Sequence, residues 1–72
     1  MSFDYRELRG LIRARVDSET AAAERIGISK AKLSARLNNR QSFKQEEIAA
    51  LKEVLDIPNE RVWDYFFKEK VR

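Results

Sequence analysis

Two short amphipathic segments separated by Gly27 place the strongest limits on how this chain folds. Ser18 and Ser29 each precede one segment, where a serine hydroxyl can accept a hydrogen bond from the free N–H groups of a helix's first turn. Gly27 has no Cβ and therefore reaches the left-handed conformation that commonly ends a helix. We predict one helix over residues 19–26 and a second over residues 30–37, joined by a three-residue turn.

The spacing of small and branched residues predicts how these two helices pack. Helices joined by a short turn containing glycine cross at a steep angle, so their backbones approach closely near the turn. Ala23 lies one turn before Gly27 and is small enough to pack under the second helix. We predict that Ile26, Ile28 and Leu33 fill the core that the two helices share.

Hydrophobic periodicity predicts three more helices in the rest of the chain. Apolar residues recur at three- and four-residue steps, which places them on one face of each helix, over residues 4–16, 45–55 and 60–67. Phe43 is predicted to pack inward from the loop before the fourth helix. We predict that residues 68–72 are frayed.

The composition excludes several classes of function. The chain has 72 residues, which is enough for one small domain over residues 1–72, and no histidine or cysteine. The commonest general base, the commonest metal ligand and disulfide bonds are therefore absent. We expect no enzymatic activity, no cofactor and no metal. A signal peptide and a long apolar run are also missing, which favours a cytoplasmic protein without a membrane segment.

Positive charge is concentrated in one part of the chain. Residues 28–45 contain five basic residues and no acidic residue, although the net charge of the whole chain is only +3. Such an asymmetry is typical of a face that binds a polyanion. A solvated basic face is the alternative, and charge alone does not choose between them.

The stretches AERIGISKAKLSARLNN and LDIPNERVWDYFF resemble the lambda-repressor-like helix-turn-helix family of Cro/C1 type, especially short Cro-like regulators of phages. The resemblance extends from Phe3 to about Phe67. It implies an all-α, five-helix DNA-binding domain with the helix-turn-helix at residues 18–39. It also implies a transcriptional regulator, in particular a repressor, whose third helix enters the major groove of double-stranded DNA. Such proteins usually bind a palindromic operator as homodimers.

Two positions depart from the family pattern. Glu19 stands where members often have Gln, and a carboxylate would repel phosphates, so we do not count Glu19 as a DNA contact. Lys44 stands where members often have Ser or Thr, three residues before Glu47. We therefore predict that the capping box of the fourth helix is lost and that Lys44 points at a phosphate.

Position along the helix-turn-helix divides the candidate DNA contacts into two groups. Side chains near the start of the third helix are best placed to reach base edges, and these are Lys30, Ala31, Lys32 and Ser34. The predicted phosphate contacts are Ser18, Thr20, Ser29, Arg36, Asn38, Asn39, Arg40 and Lys44. The serines preceding the helices and the two asparagines have a competing role as helix caps and helix ends.

The fifth helix has more large apolar side chains than a small core readily absorbs. We predict a dimer interface formed by Val62, Trp63, Phe66 and Phe67. The leading hypothesis is a sequence-specific DNA-binding regulator that acts as a homodimer. The alternative is a helical protein-interaction module that keeps this fold and does not bind DNA, which the aromatic C-terminal segment and Glu19 favour.

Overall fold

The computed structural model describes residues 2–71, and all regular structure in that range is helical. The five α-helices are α1 (Arg6–Val16), α2 (Glu19–Ile26), α3 (Lys30–Leu37), α4 (Gln45–Val54) and α5 (Val62–Phe66). The predicted all-α, five-helix fold is confirmed, and α2 and α3 match their predicted ranges at both ends. None of the helices within residues 2–71 is long and apolar enough to cross a membrane.

The core forms around α2, which packs against α1, α3 and α4, while α1 also packs against α5. The largest fully buried side chains come from four of the helices and the residue after α4, and they are Leu8, Ile12, Leu33, Leu51, Leu55 and Phe66. Phe43 lies edge-on between Tyr5 and Phe66, with ring centroids 5.5 Å from each. The predicted inward packing of Phe43 is therefore confirmed.

The turn between α2 and α3 has the geometry that its sequence predicts. Gly27 adopts φ +80°, and the N–H of Ile28 donates to the carbonyl of Ala23 at 3.0 Å. This is the hydrogen bond of a Schellman motif, which closes a helix through a left-handed residue. Ala23 is almost fully buried, as expected for a small residue under the second helix. Ile28 is only half-buried, although it packs against the core.

Both predicted serine caps are present. The Ser18 hydroxyl accepts a hydrogen bond from the backbone N–H of Ala21, and the Ser29 hydroxyl accepts one from Lys32, each at 3.1 Å. Each cap satisfies one free donor of its helix's first turn, a contribution of about 1 kcal/mol. The start of each helix is therefore set by a local contact.

We expect opposite effects from replacing the two glycines of this chain with alanine. Gly27→Ala should destabilise the protein by about 1–2 kcal/mol, because an L-residue is strained in the left-handed region. Gly10→Ala should stabilise it by about 1 kcal/mol, because Gly10 is an exposed position within α1. A Cβ at either position meets no atom within 4 Å, so both effects come from the backbone. Urea denaturation of the two variants checks the signs, and equal shifts would contradict this account.

The two ends of the chain differ from the prediction. Phe3 and Glu69 form an isolated antiparallel bridge. The Asp4 N–H donates to the Lys68 carbonyl at 2.7 Å, and the Lys70 N–H donates to the Ser2 carbonyl at 3.1 Å. The predicted fraying is therefore wrong for residues 68–70, because the first residues of the chain supply their backbone partners. Arg72, the last residue of that prediction, lies outside the described residues.

The first, fourth and fifth helices also differ from the prediction at their boundaries. The first helix begins at Arg6, two residues later than predicted, and the side chain of Asp4 accepts a hydrogen bond from the Arg6 N–H at 3.0 Å. The predicted fifth helix divides into a 3₁₀ helix (Asn59–Arg61) and the short α5. A tighter first turn of this kind is common at the start of an α-helix. The fourth helix ends one residue before the predicted boundary.

Candidate nucleic-acid interface

One face of α1, the start of α2 and the first residue of α3 line one shallow groove of about 240 Å³. We call it the α2–α3 groove, and its lining residues are Arg9, Ile12, Arg13, Asp17, Ser18, Glu19, Thr20 and Lys30. The groove brings Lys30, a predicted base contact, beside two predicted phosphate contacts, Ser18 and Thr20. The start of α2 is a suitable place for an anion, because the helix dipole and the free N–H groups favour negative charge there.

The side chains at the start of α3 project into solvent. Lys30, Ala31 and Lys32 are all exposed. Ser34 is half-buried, and its hydroxyl accepts a hydrogen bond from the side-chain amide of Asn38 at 3.2 Å. Of the four predicted base contacts, the first three are therefore more accessible than Ser34.

Arg9 joins three helices and compensates the charge of Glu19. Its Nη1 lies 2.5 Å from a carboxylate oxygen of Glu19 at the start of α2. Its Nη2 donates to the carbonyl of Leu37 at 3.1 Å and to the side-chain oxygen of Asn38 at 3.0 Å. The repulsion expected between Glu19 and a phosphate is weakened, because a guanidinium neutralises that carboxylate.

Sequence reasoning missed both arginines of the α2–α3 groove. The partners of Arg9 lie 10, 28 and 29 residues further along the chain, so no local pattern indicates them. Arg13 lies four residues after Arg9, and residues at this spacing share one face of a helix. That spacing was a usable signal for a second basic side chain in the groove.

Arg36 does not lie on the surface, contrary to its prediction as a phosphate contact. Its residue exposure is only 5%, and its Nε and Nη2 donate to the two carboxylate oxygens of Glu47 at 2.9 and 3.1 Å. Its Nη1 donates to the side-chain oxygen of Gln41 at 2.6 Å. A buried guanidinium needs such partners, and α4 with the preceding loop provides them.

The two asparagines after α3 have structural partners. Asn38 ends the helix, and its side-chain amide donates to the carbonyl of Ser34 at 2.9 Å. Asn39 has φ +61°, and its side chain accepts from the Phe3 N–H and donates to the Phe3 carbonyl. The side-chain polar groups of Asn39 therefore hold the N-terminal segment against the end of α3, which favours the structural role over the predicted phosphate contact.

The remaining predicted phosphate contacts, Ser29, Arg40 and Lys44, are exposed. Lys44 precedes α4, and Glu47 accepts a hydrogen bond from its backbone N–H at 3.0 Å. The prediction that the capping box is lost is therefore wrong for the half that Glu47 supplies. A lysine side chain has no acceptor atom, so the other half of the motif does not form and the ammonium group remains exposed.

Glu47 is expected to make the stability of the protein depend on pH. Burial raises the pKa of its carboxyl, but hydrogen bonds from Arg36 and from the Lys44 N–H together lower it more, below the ordinary value of 4.5. A carboxyl with a lowered pKa stabilises the folded state above its unfolded pKa, and this stabilisation is lost as the pH falls through its folded pKa. Unfolding should therefore become easier as the pH falls below 4.5.

Glu47→Gln is the variant that isolates this contribution, measured by thermal unfolding between pH 3 and 7. It should show a weaker loss of stability below pH 4.5 than the unchanged protein. Asp4, whose pKa the Arg6 side-chain hydrogen bond lowers to about 2, is present in both proteins and cancels in the difference. Parallel loss in both proteins would contradict the assignment to Glu47.

The predicted dimer surface divides into buried and exposed residues. Phe66 belongs to the core with 2% exposure, so it is not available to a partner, contrary to the prediction. Trp63 and Phe67 are exposed by 59% and 42%, and Val62 is half-buried. Phe67 also contacts Phe3 edge-on, with ring centroids 6.3 Å apart. An exposed aromatic surface remains, but it is smaller than the sequence predicted.

Fold and groove together define a small all-helical protein that presents the basic start of one capped helix beside the start of another. The chain belongs to a family described as "Protein of unknown function (DUF739)", whose family model matches residues 1–69. No curated protein matches the chain.

Among solved structures, the chain is similar to the solution structure of the modulator of repression (MOR) of the temperate bacteriophage TP901-1 from Lactococcus lactis. The two sequences are 32% identical, and the TM-score is 0.81. The match covers 100% of this chain and 97% of that chain. The likeness therefore extends over the whole arrangement of helices.

Proposed function

We propose that this chain is a phage regulator of transcription that binds double-stranded DNA by inserting α3 into the major groove. The structural neighbour is, by its title, a modulator of repression in a temperate phage, which supports a regulatory role. The lambda-repressor-like pattern of residues 18–39 supports a helix-turn-helix of Cro/C1 type. The resemblance to Cro/C1-type regulators favours repression as the form of regulation.

One observation carries this proposal: Lys30, Ala31 and Lys32 are exposed at the start of a capped helix, and Lys30 lines the α2–α3 groove. A lysine can donate to guanine O6 and N7, and an alanine methyl can contact the methyl of thymine. Ser18 and Thr20 at the start of α2 provide phosphate contacts in the same groove. These side chains supply both base-reading and positioning groups, as a DNA-binding surface requires.

Selection of bound duplexes from a random pool is the experiment that tests the proposal. We expect enrichment of one sequence, and we expect its affinity to fall steeply as salt rises, because each neutralised phosphate releases counterions. A titration that shows no binding of any duplex at low salt would contradict DNA binding. Enrichment of a symmetric site with half-sites about one helical turn apart would support binding as a homodimer.

We further propose that the homodimer forms through a surface at the C-terminal helix α5, made of the exposed Trp63 and Phe67 and the half-buried Val62. One domain of this size contacts about half a turn of DNA, so two copies would supply useful specificity. Trp63→Lys should then shift the protein from dimer to monomer in sedimentation, both free and on a symmetric duplex. A monomeric unchanged protein on such a duplex would remove this part of the proposal.

A second candidate function is contact with another protein of the repression machinery. The exposed side chains of Trp63 and Phe67 favour it, because large exposed apolar side chains often mark interaction sites. The test is binding of a purified phage repressor to the immobilised chain after nuclease treatment. Loss of that binding in Trp63→Lys but not in Lys30→Ala would favour this candidate over DNA binding.

A further inference from the structure

The side chain of Arg36 has an unusual position for a basic residue on the proposed DNA-reading helix. Its guanidinium makes a side-on, two-hydrogen-bond pair with Glu47, and both residues are more than nine-tenths buried. The same guanidinium donates to Gln41, and Glu47 also accepts from the Lys44 N–H. The pair thus connects the last turn of α3 to the following loop and to the first turn of α4.

The pair does not act mainly by adding stability. A buried ion pair usually stabilises a protein no more than apolar side chains of similar size would, because the desolvation of both charges offsets their attraction. Leu33 and Leu37 already bury the inner face of α3 in the core. Apolar burial has no preferred direction, whereas a planar guanidinium on a carboxylate permits only a narrow range of orientations.

The orientation of α3 decides where its DNA-facing side chains lie. Arg36 is one turn after Lys32 on this helix, and its Nη1 lies 3.4 Å from the Lys32 carbonyl. A rotation of α3 by about 10° would move an atom on its outer surface by roughly 1 Å, which exceeds the tolerance of a hydrogen-bonded site. Gln41 and Lys44 tie the loop to the same pair, so the loop residue Arg40 depends on it as well.

We propose that Arg36 and Glu47 are positioning residues that determine the specificity of the DNA-reading helix by fixing its orientation against α4. This inference rests on the proposed function for its effect on DNA. The orientation of α3 is a property of the free protein and is measurable without DNA. Arg36 thereby has a role inside the fold, where the sequence predicted a contact with phosphate.

The test replaces the pair by apolar residues of similar size, Arg36→Met with Glu47→Leu. We expect this double variant to fold and to bind random duplex with an unchanged salt dependence, because the exposed basic residues remain. Its preference for the selected sequence over single-base-pair variants should fall at least about 10-fold. A folded double variant with the full preference would overturn the proposal.

One further measurement and one further variant keep the outcome decisive. Residual dipolar couplings of the free protein should show α3 rotated by more than about 10° relative to α2 and α4 in the double variant. Equal couplings in the double variant and in the protein without substitutions would overturn the proposal, whether or not the protein binds DNA. Failure of the protein without substitutions to bind any duplex would by itself refute only the proposed function. If the double variant does not fold, Arg36→Lys keeps the charge without the planar fork and should show the same rotation and loss of preference.

A matched control removes an ion pair elsewhere. Glu7 of α1 and Lys68 of the C-terminal segment form an exposed pair at 3.6 Å. Glu7→Leu with Lys68→Met should leave the couplings of α3 and the preference for the selected sequence unchanged. An equal loss of preference in this control would show that the effect is general, and would overturn the assignment to Arg36 and Glu47.

Discussion

Replacing Glu47 alone by leucine is expected to destabilise the protein by about 3–5 kcal/mol, because Arg36 would remain buried without a counter-charge. Domains of this length have a total stability of roughly 4–11 kcal/mol, so the expected loss is a large share of the total. The measurement is the free energy of unfolding from urea titration. Adding Arg36→Met to the same chain should recover most of the loss, since the unpaired charge is then removed.

Glu46→Leu is the matched control for this experiment. Glu46 is also an acidic residue in the first turn of α4, but its side chain is exposed. Its replacement should change the stability by less than about 0.5 kcal/mol, as is usual for surface substitutions. If Glu47→Leu and Glu46→Leu have similar effects, the Arg36–Glu47 pair does not carry the energy that its burial implies.

Lys30→Ala and Lys32→Ala should each weaken binding to the selected duplex by about 1–3 kcal/mol if the lysines contact bases. The double variant should lose roughly 2–6 kcal/mol, apart from any coupling between the two neighbouring sites. Both lysines are exposed, so the stability of the protein should not change. Fluorescence anisotropy with the selected duplex and with its single-base-pair variants gives the affinity and the specificity.

The pattern of loss distinguishes the two kinds of DNA contact. A base contact relaxes specificity at one base pair, whereas a phosphate contact weakens binding to all duplexes alike and reduces the salt slope by about one. Lys68→Ala is the control, because Lys68 lies in the C-terminal segment and faces Glu7 at 3.6 Å. Affinities of both lysine variants within twofold of that control would count against α3 as the reading helix.

The helix-turn-helix was the part of the fold that local sequence predicted most closely. The caps at Ser18 and Ser29 and the left-handed Gly27 depend on atoms within five residues of each other, so their signals are readable from the sequence alone. The start of α5 was less predictable. Its first turn is 3₁₀ over Asn59–Arg61, and the hydrophobic period of the two helix types is too similar to distinguish them over three residues.

The candidate site was predictable only where exposure follows from helix position. Lys30 and Lys32 follow a capping serine, and the sequence correctly indicated that they are exposed. Arg36 carries the same charge on the same helix, yet it is buried, because its partner Glu47 lies 11 residues away. Charge counting along the chain treats these three residues alike, although only two of them contribute to a basic surface.

The order of the helices, the ends of α2 and α3, and the small residue at Ala23 that lets them approach are all readable from the amino-acid sequence. These features arise from capping, from backbone preference and from hydrophobic period, which all act over a few neighbouring residues. Three other features become visible only when the helices are packed together: Arg9 connects three helices, Phe66 belongs to the core, and Asn39 holds the N-terminal segment. Contacts between residues distant along the chain decide these features, and their formation depends on how complete helices pack.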